Sequence, residues 1–152
     1  MNEVQRERLN AFLVGTFGSI LTLEERALAG PGKGLSVREM HVIETAAALT
    51  ATGRNTMSAV AGALNISVGA LTTAVTTLIR KGYLSRGSDP DDRRVVRVFP
   101  TALGREANER HRAFHRDMLR GVEQALEEED IERLTLALER LKEFFEQYAV
   151  KG

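Results

Sequence analysis

The 152-residue chain is 43% apolar and 28% charged, with 21 basic and 21 acidic side chains that cancel. That is enough for one domain with a real core, or for two small lobes sharing a helical frame. There is no cysteine, which excludes disulfides, thiolate nucleophiles and cysteine-rich zinc sites. The start MNEVQRERLN is polar, and no run nears the roughly 18 apolar residues of a membrane span, so a cytoplasmic protein with no membrane partner is expected.

Residues 3–29 repeat apolar side chains at helical rather than alternating spacing, from Val4 through Phe12, Phe17 and Ile20 to Leu28, which predicts a long first helix. GPGKG at 30–34 breaks it. Ser36 with Glu39 has capping-box spacing and opens a second helix to about Ala51, ended by Gly53. Thr56 caps a short helix through Leu64, NIS makes a tight turn, and Ser67 caps a helix that runs to Lys81 and stops at Gly82. Two short helices around such a turn form a helix-turn-helix pattern. YLSR and RVVRVF read as strands joined by the turn GSDPDDR, a candidate wing. Thr101 then caps a helix of about 27 residues to Glu128, and Asp130 caps a last one to about Val150.

Charge follows this division. Residues 53–105 are net +5, whereas 1–52 are net −1 and 106–152 net −4. A basic centre in a neutral-to-acidic frame points to a polyanion-binding lobe.

On the helix opened by Ser67, Leu71, Val75, Leu78 and Ile79 share one face, while Gly69, Ala70, Thr72, Thr73, Thr76 and Thr77 share the other. The apolar face anchors the helix. The small polar face suits the major groove, where threonine offers a hydroxyl to base edges and a methyl to thymine. Threonine is a modest helix former, so four on one exposed face need a reason. The hairpin adds Arg93, Arg94 and Arg97; arginine at a hairpin tip suits a narrow minor groove, and Asp92 can hold a guanidinium in a fixed direction. With the caps Thr56 and Ser67, and with Arg54 and Arg86 expected on phosphates, the candidate DNA-binding set is completed by Gly69, Ala70, Thr72, Thr73 and Thr76 of this helix and Arg93 and Arg94 of the hairpin.

Together these segments resemble the MarR family of winged-helix regulators over nearly the whole chain. The most specific part is DDRR…TALG, similar to the family's D-x-R wing followed by L-T-x-x-G, with Asp92 and Arg94 in the first motif and Thr101 and Gly104 in the second. Pro100 stands where the family usually has leucine. The resemblance implies a mainly α fold with a small β-hairpin wing: one unit over 1–152, with a winged helix-turn-helix lobe at 36–100 and a dimerisation frame of 1–30 and 101–152. It also implies a homodimer that binds a pseudo-palindromic operator, usually represses, and carries an effector site between frame and lobe. EMHVIE, ALTTAVTTLIRKGYL and DRRVVRV resemble the regulators of fatty-acid synthesis genes. In that branch the partner would be acyl carrier protein or a small apolar ligand, and Phe12, Phe17, Ile20, Met40 and Phe114 would surround a cavity between the first, second and fifth helices, although core packing explains each of them more simply.

The stretch HRAFH suggests a second branch. At 3.6 residues per turn, Leu103, Ala107, Phe114, Met118, Val122 and Leu126 lie within about 80° of His111, and His115 about 40° away, so both histidines point into the apolar stripe. Residues i and i+4 have Cβ atoms about 5–6 Å apart, from which two imidazoles can converge on one ion. Zinc wants four ligands. The resemblance to zinc-uptake repressors implies the others, placing Glu25, His41, His111 and His115 on ligand positions; Glu24 lies closer to the apolar stripe than Glu25. A buried histidine is equally at home as hydrogen-bonded core. An alternative class, a metal-dependent enzyme on a helical scaffold, finds no Ser-His-Asp, phosphate-loop or H-E-x-x-H pattern in support.

Overall fold

The computed structural model describes residues 1–29 and 34–150, the last two by backbone alone. The elements run α1 (Glu3–Leu28), α2 (Val37–Ala51), α3 (Met57–Ala63), α4 (Val68–Lys81), β1 (Leu84–Ser88), β2 (Val96–Pro100), α5 (Ala102–Ala125) and α6 (Glu128–Val150). They divide into two compact units, Met1–Arg112 and Ala113–Gly152. The expected break GPGKG lies, apart from Gly34, outside the described residues.

The helix starts follow from their caps. Asn2 and Gln5 close a capping box on α1, Ser36 and Glu39 close another on α2, and the hydroxyls of Thr56 and Ser67 accept from Ala59 N and Ala70 N. These bonds occupy amide hydrogens that a helix start leaves without an internal partner. Gly82 ends α4 in the left-handed region at φ 89°, where a side chain would be strained.

Two boundaries differ from the sequence reading. The strands pair antiparallel from Leu84↔Pro100 to Ser88↔Val96. Arg94 and Val95 leave the second strand because Asp89 N donates to Val95 O and Val95 N to Asp92 O, both at 2.9 Å, closing 89–95 as the turn. Helix α5 ends at Ala125 and α6 begins at Glu128, two residues before the expected cap Asp130. Glu128, Glu129 and Asp130 occupy the first turn of α6, where the helix dipole favours negative charge.

In the first unit the core gathers Met40, Ile43 and Ala46 of α2, Val60 of α3, Leu71, Val75 and Leu78 of α4, and Val98 of β2, all without exposed surface. Each of the larger side chains contributes about 1.5–3 kcal/mol by leaving water. Tyr83, Leu84 and Ala107 extend this cluster to the start of α5. There Gly104 permits a close approach: a Cβ on it would stand 2.1 Å from Tyr83 O. The Thr101 hydroxyl lies 2.7 Å from Gly82 O and 3.1 Å from Tyr83 O, and accepts from Gly104 N at 3.1 Å. The T-x-x-G spacing is thus a cap and a close contact in four residues. Pro100, buried at the end of β2, needs no amide hydrogen in its strand-terminal position.

Both units leave apolar surface open. On α1, Phe12, Phe17 and Leu21 are about half exposed, at 51%, 50% and 52%. On α6 in the second unit, Leu134, Leu138, Phe145 and Tyr148 recur at helical spacing and are 36% to 71% exposed. Among the described residues, no single helix is long and apolar enough to cross a membrane.

Candidate nucleic-acid interface

Helix α4 presents two unlike faces. Leu71, Val75 and Leu78 are buried, while Thr72, Thr73 and Thr76 are exposed, as are Ser67, Gly69 and Ala70. Beside the threonines, a cleft of about 420 Å³ runs between α4, the start of α3 and the wing, lined among others by Thr56, Ser58, Thr72, Arg86 and Arg94. Ala70 instead faces a separate groove between α2 and α4.

The arginines divide by their hydrogen bonds. Arg54 and Arg93 are exposed. Arg94 is 95% exposed, with Nε 3.5 Å from Asp92 Oδ1, and the same oxygen accepts from Arg94 N at 3.0 Å. Asp92 thus supports the wing tip as its motif position implied. Arg86 is turned onto α4, with Nη2 donating to Thr72 O at 3.2 Å and to Thr76 Oγ1 at 3.0 Å.

Arg97 is an internal anchor. Its Nε donates to Asp89 Oδ2 at 2.6 Å, and its Nη1 to Gly53 O at 2.6 Å and Asn55 Oδ1 at 3.0 Å. Asn55, buried, donates from Nδ2 to Val98 O at 2.7 Å, and Val98 N returns a bond to Asn55 O at 2.9 Å. Residues 53–56 therefore run beside β2 like a short third strand and fix the wing to the loop before α3. Asp89 also caps the wing turn, accepting from Asp91 N at 2.8 Å and Asp92 N at 3.2 Å. The Asp91 amide and the Arg97 guanidinium hold its carboxyl below the ordinary value of 3.8. The sequence marked Asp89 only as part of the Asp-Pro-Asp turn and gave Asn55 no role; the one signal at Asn55 was a polar residue beside a capped helix.

At the other end of α4, Lys81 Nζ donates to both carboxylate oxygens of Glu39 and to Gly34 O, each at 2.8 Å. Burial pushes the Glu39 carboxyl up, but the bonds from Lys81 and the Ser36 amide outweigh it and leave it below 4.5. The capping-box partner of Ser36 thereby holds the end of α4.

The histidines meet a carboxylate, and it is Glu24 rather than the expected Glu25. Glu24 is 5% exposed on the inner face of α1, whereas Glu25, one residue on and about 100° around the helix, is exposed. Glu24 Oε1 lies 2.7 Å from His111 Nε2 and 3.7 Å from His41 Nε2, and the two rings are 6.1 Å apart. His111 is 1% exposed, and the Glu44 carboxylate lies 4.0 Å from its Nδ1. His115 follows one turn along α5, in the second unit, with its ring 5.2 Å from that of Phe114.

The residues expected around an apolar effector differ in burial. Met40 is wholly buried in the core of the winged helix, and Phe12 and Phe17 are half exposed on α1; Ile20 and Phe114 are partly buried. The spacing that puts Met40 on the inner face of α2 leaves it no free surface in the single chain.

The sequence profile described as MarR family matches residues 36–96, from the cap of α2 to the start of β2. The S. pneumoniae FabT structure in complex with DNA is 32% identical, with a TM-score of 0.80, and the match covers 93% of this chain and 98% of that one. The chain belongs to the MarR family. Two further structures share the fold at lower identity. The S. aureus MepR-DNA complex is 18% identical over 90% of this chain and 97% of that one, with a TM-score of 0.69. L. lactis ZitR, described as a zinc-responsive MarR family member, is 22% identical over 93% and 99%, with a TM-score of 0.65. No curated protein sequence matches the chain.

Proposed function

We propose that the chain is a sequence-specific DNA-binding transcriptional regulator that binds a pseudo-palindromic operator as a homodimer and represses. The observation that carries this is the exposed threonine face of α4 beside a wing whose Arg94 stands almost fully in solvent. A face free of bulky side chains fits the major groove, and an adjacent arginine tip fits the minor groove and phosphates. FabT and MepR, with which the chain shares its fold, were both solved on DNA. The open apolar stripes of α1 and α6 support the dimer, because surface of that kind on a soluble chain marks an association site. The proposed division is a winged lobe at 36–100 and a dimer frame in 1–30 and 101–152. Selection from a random-sequence duplex pool, with sedimentation of the free protein, tests it. Enrichment of an inverted repeat bound by two chains is expected; a stable monomer with no enriched sequence refutes it.

A divalent transition metal, zinc by donor type, is the effector that one observation favours. A carboxylate oxygen and two imidazole nitrogens converge around Glu24 in the first unit, a donor set that suits zinc. Glu24, His41 and His111, all in the first unit, would hold the ion. The ion would supply a cross-link between α1, α2 and α5, in place of the Glu24–His111 hydrogen bond. The apolar effector and acyl carrier protein have no corresponding arrangement in their favour.

A further inference from the structure

The threonine face of α4 is short of hydrogen-bond donors. A hydroxyl has one hydrogen and two lone pairs. Thr72 Oγ1 donates to Val68 O at 2.8 Å, and Thr76 Oγ1 to Thr72 O at 2.7 Å; Thr73 Oγ1 reaches Gly69 O more loosely, at 3.4 Å. Back-bonding to the preceding turn is a common use of threonine in a helix. Thr76 is committed further, since one of its lone pairs already accepts from Arg86 at 3.0 Å. What Thr76 still offers is its γ-methyl and one lone pair; Thr72 offers a methyl and two lone pairs. Arg86 is itself occupied, so the usual bidentate reader of guanine on this surface is folded back against the helix.

The base edges in the major groove respond differently to such a surface. Guanine shows only acceptors, N7 and O6, and finds no free donor on Thr72 or Thr76. The G·C pair keeps one donor, cytosine N4, but no methyl. The A·T pair supplies both an adenine N6 donor for the lone pair and a thymine 5-methyl for the threonine methyl.

We infer that α4 reads its operator chiefly through thymine 5-methyl groups packed against the methyls of Thr72 and Thr76, with Arg86 as the positioning residue that locks the Thr76 rotamer. The inference rests on the proposed DNA-binding function and specifies the base pairs recognised. It reverses the expectation that Arg86 is a phosphate contact.

The experiment takes the duplexes selected by the full-length protein and replaces each thymine in turn by deoxyuridine, which deletes only the methyl. At the thymines read by α4, binding should weaken by about 4-fold each, the factor that burial of one methyl-sized group is worth. Thr76→Val keeps a methyl, held without Arg86 by the single χ1 rotamer that valine prefers in a helix, and should retain this sensitivity, whereas Thr76→Ser keeps the hydroxyl and should lose it at one thymine in each half-site. Arg86→Met should weaken the deoxyuridine effect at that same thymine and admit guanine there, with the slope of log affinity against log salt unchanged. Three results would overturn the inference: no deoxyuridine effect at any thymine, sensitivity kept by Thr76→Ser but lost by Thr76→Val, or Arg86→Met lowering the salt slope with base preference intact. A pool yielding no enriched sequence overturns the DNA-binding reading and this inference together, so the two failures are distinct.

Discussion

Replacing Gly104 by alanine reverses the usual effect of that substitution in a helix. In an open position the change should stabilise by about 1 kcal/mol, because alanine is the better helix former. Here the added Cβ would stand 2.1 Å from Tyr83 O, more than 1 Å inside the roughly 3.3–3.6 Å at which carbon and carbonyl oxygen ordinarily meet. Overpacking of this kind costs about 1–3 kcal/mol. The displaced carbonyl also accepts from Thr101 N at 3.0 Å and lies 3.1 Å from the Thr101 hydroxyl. Loss of these bonds adds about 0.5–1.5 kcal/mol each. After the propensity gain, the net loss centres near 3 kcal/mol, or a fall of roughly 6–12 °C in melting midpoint for a chain of this size. Thermal unfolding at fixed protomer concentration measures it, since association shifts the midpoint by mass action. Gly62→Ala is the control: nothing lies within 4 Å of its added Cβ, so it should be neutral or slightly stabilising. A Gly104→Ala protein as stable as the parent would refute the close-contact reading.

Lys81→Met should destabilise by a constant amount above pH 5 or so, in urea unfolding. Because Glu39 titrates below 4.5 in the folded chain, the pair's contribution is present above that value and lost as pH falls through the lowered folded value, so the difference from the parent should shrink there; a difference independent of pH would count against the ion pair. Arg97→Met should speed amide hydrogen exchange across Val96–Pro100 while leaving the salt slope of DNA binding unchanged, because this arginine holds the wing rather than a phosphate; a slope lowered by about 1 would make it a phosphate contact instead. Glu24→Gln should abolish stoichiometric zinc uptake and Glu25→Gln should not, as read by metal analysis after dialysis; equal uptake by both would remove Glu24 from the site.

How much of this could be read from the chain depended on the range of the interaction. Caps act over three residues, so Ser36, Thr56 and Ser67 marked their helices correctly, and Gly82 marked the end of α4. The periodicity of Leu71, Val75 and Leu78 placed the recognition helix, and the turn GSDPDDR between two strand-like runs placed the wing. The roles of Arg86 and Arg97 were not legible, because each is set by a partner 10 to 44 residues away: Thr76 in one case, Gly53 and Asn55 in the other. Arginines that look alike in a basic hairpin are separated only by which carbonyls and carboxylates come within reach. Between Glu24 and Glu25 the helical periodicity already favoured Glu24, and the alignment by resemblance, which pointed to Glu25, was off by one residue's rotation about α1.

Helix α2 is what connects the histidine cluster to the DNA-reading surface. Its inner face places Met40, Ile43 and Ala46 in the core with Leu71, Val75 and Leu78 of α4, so the two helices share one packed interior that resists small displacements. Its first turn holds Lys81 through Glu39, and two residues later His41 faces Glu24 of α1. Force applied at His41 therefore reaches the C-terminal end of α4 through less than one helical turn and one ion pair. The wing, in contrast, is bound to the loop after α2 through Arg97 and Asn55. A ligand drawing His41 toward Glu24 would move the start of α2 against α1, and with it the end of the recognition helix, whereas the wing anchor lies at the far end of α2. Such an effector should change base preference along α4 before it changes the minor-groove contact proposed for Arg94. Footprints of the protein with and without zinc, on major-groove and minor-groove probes, distinguish that order from a rigid rotation of the whole lobe, which would alter both together.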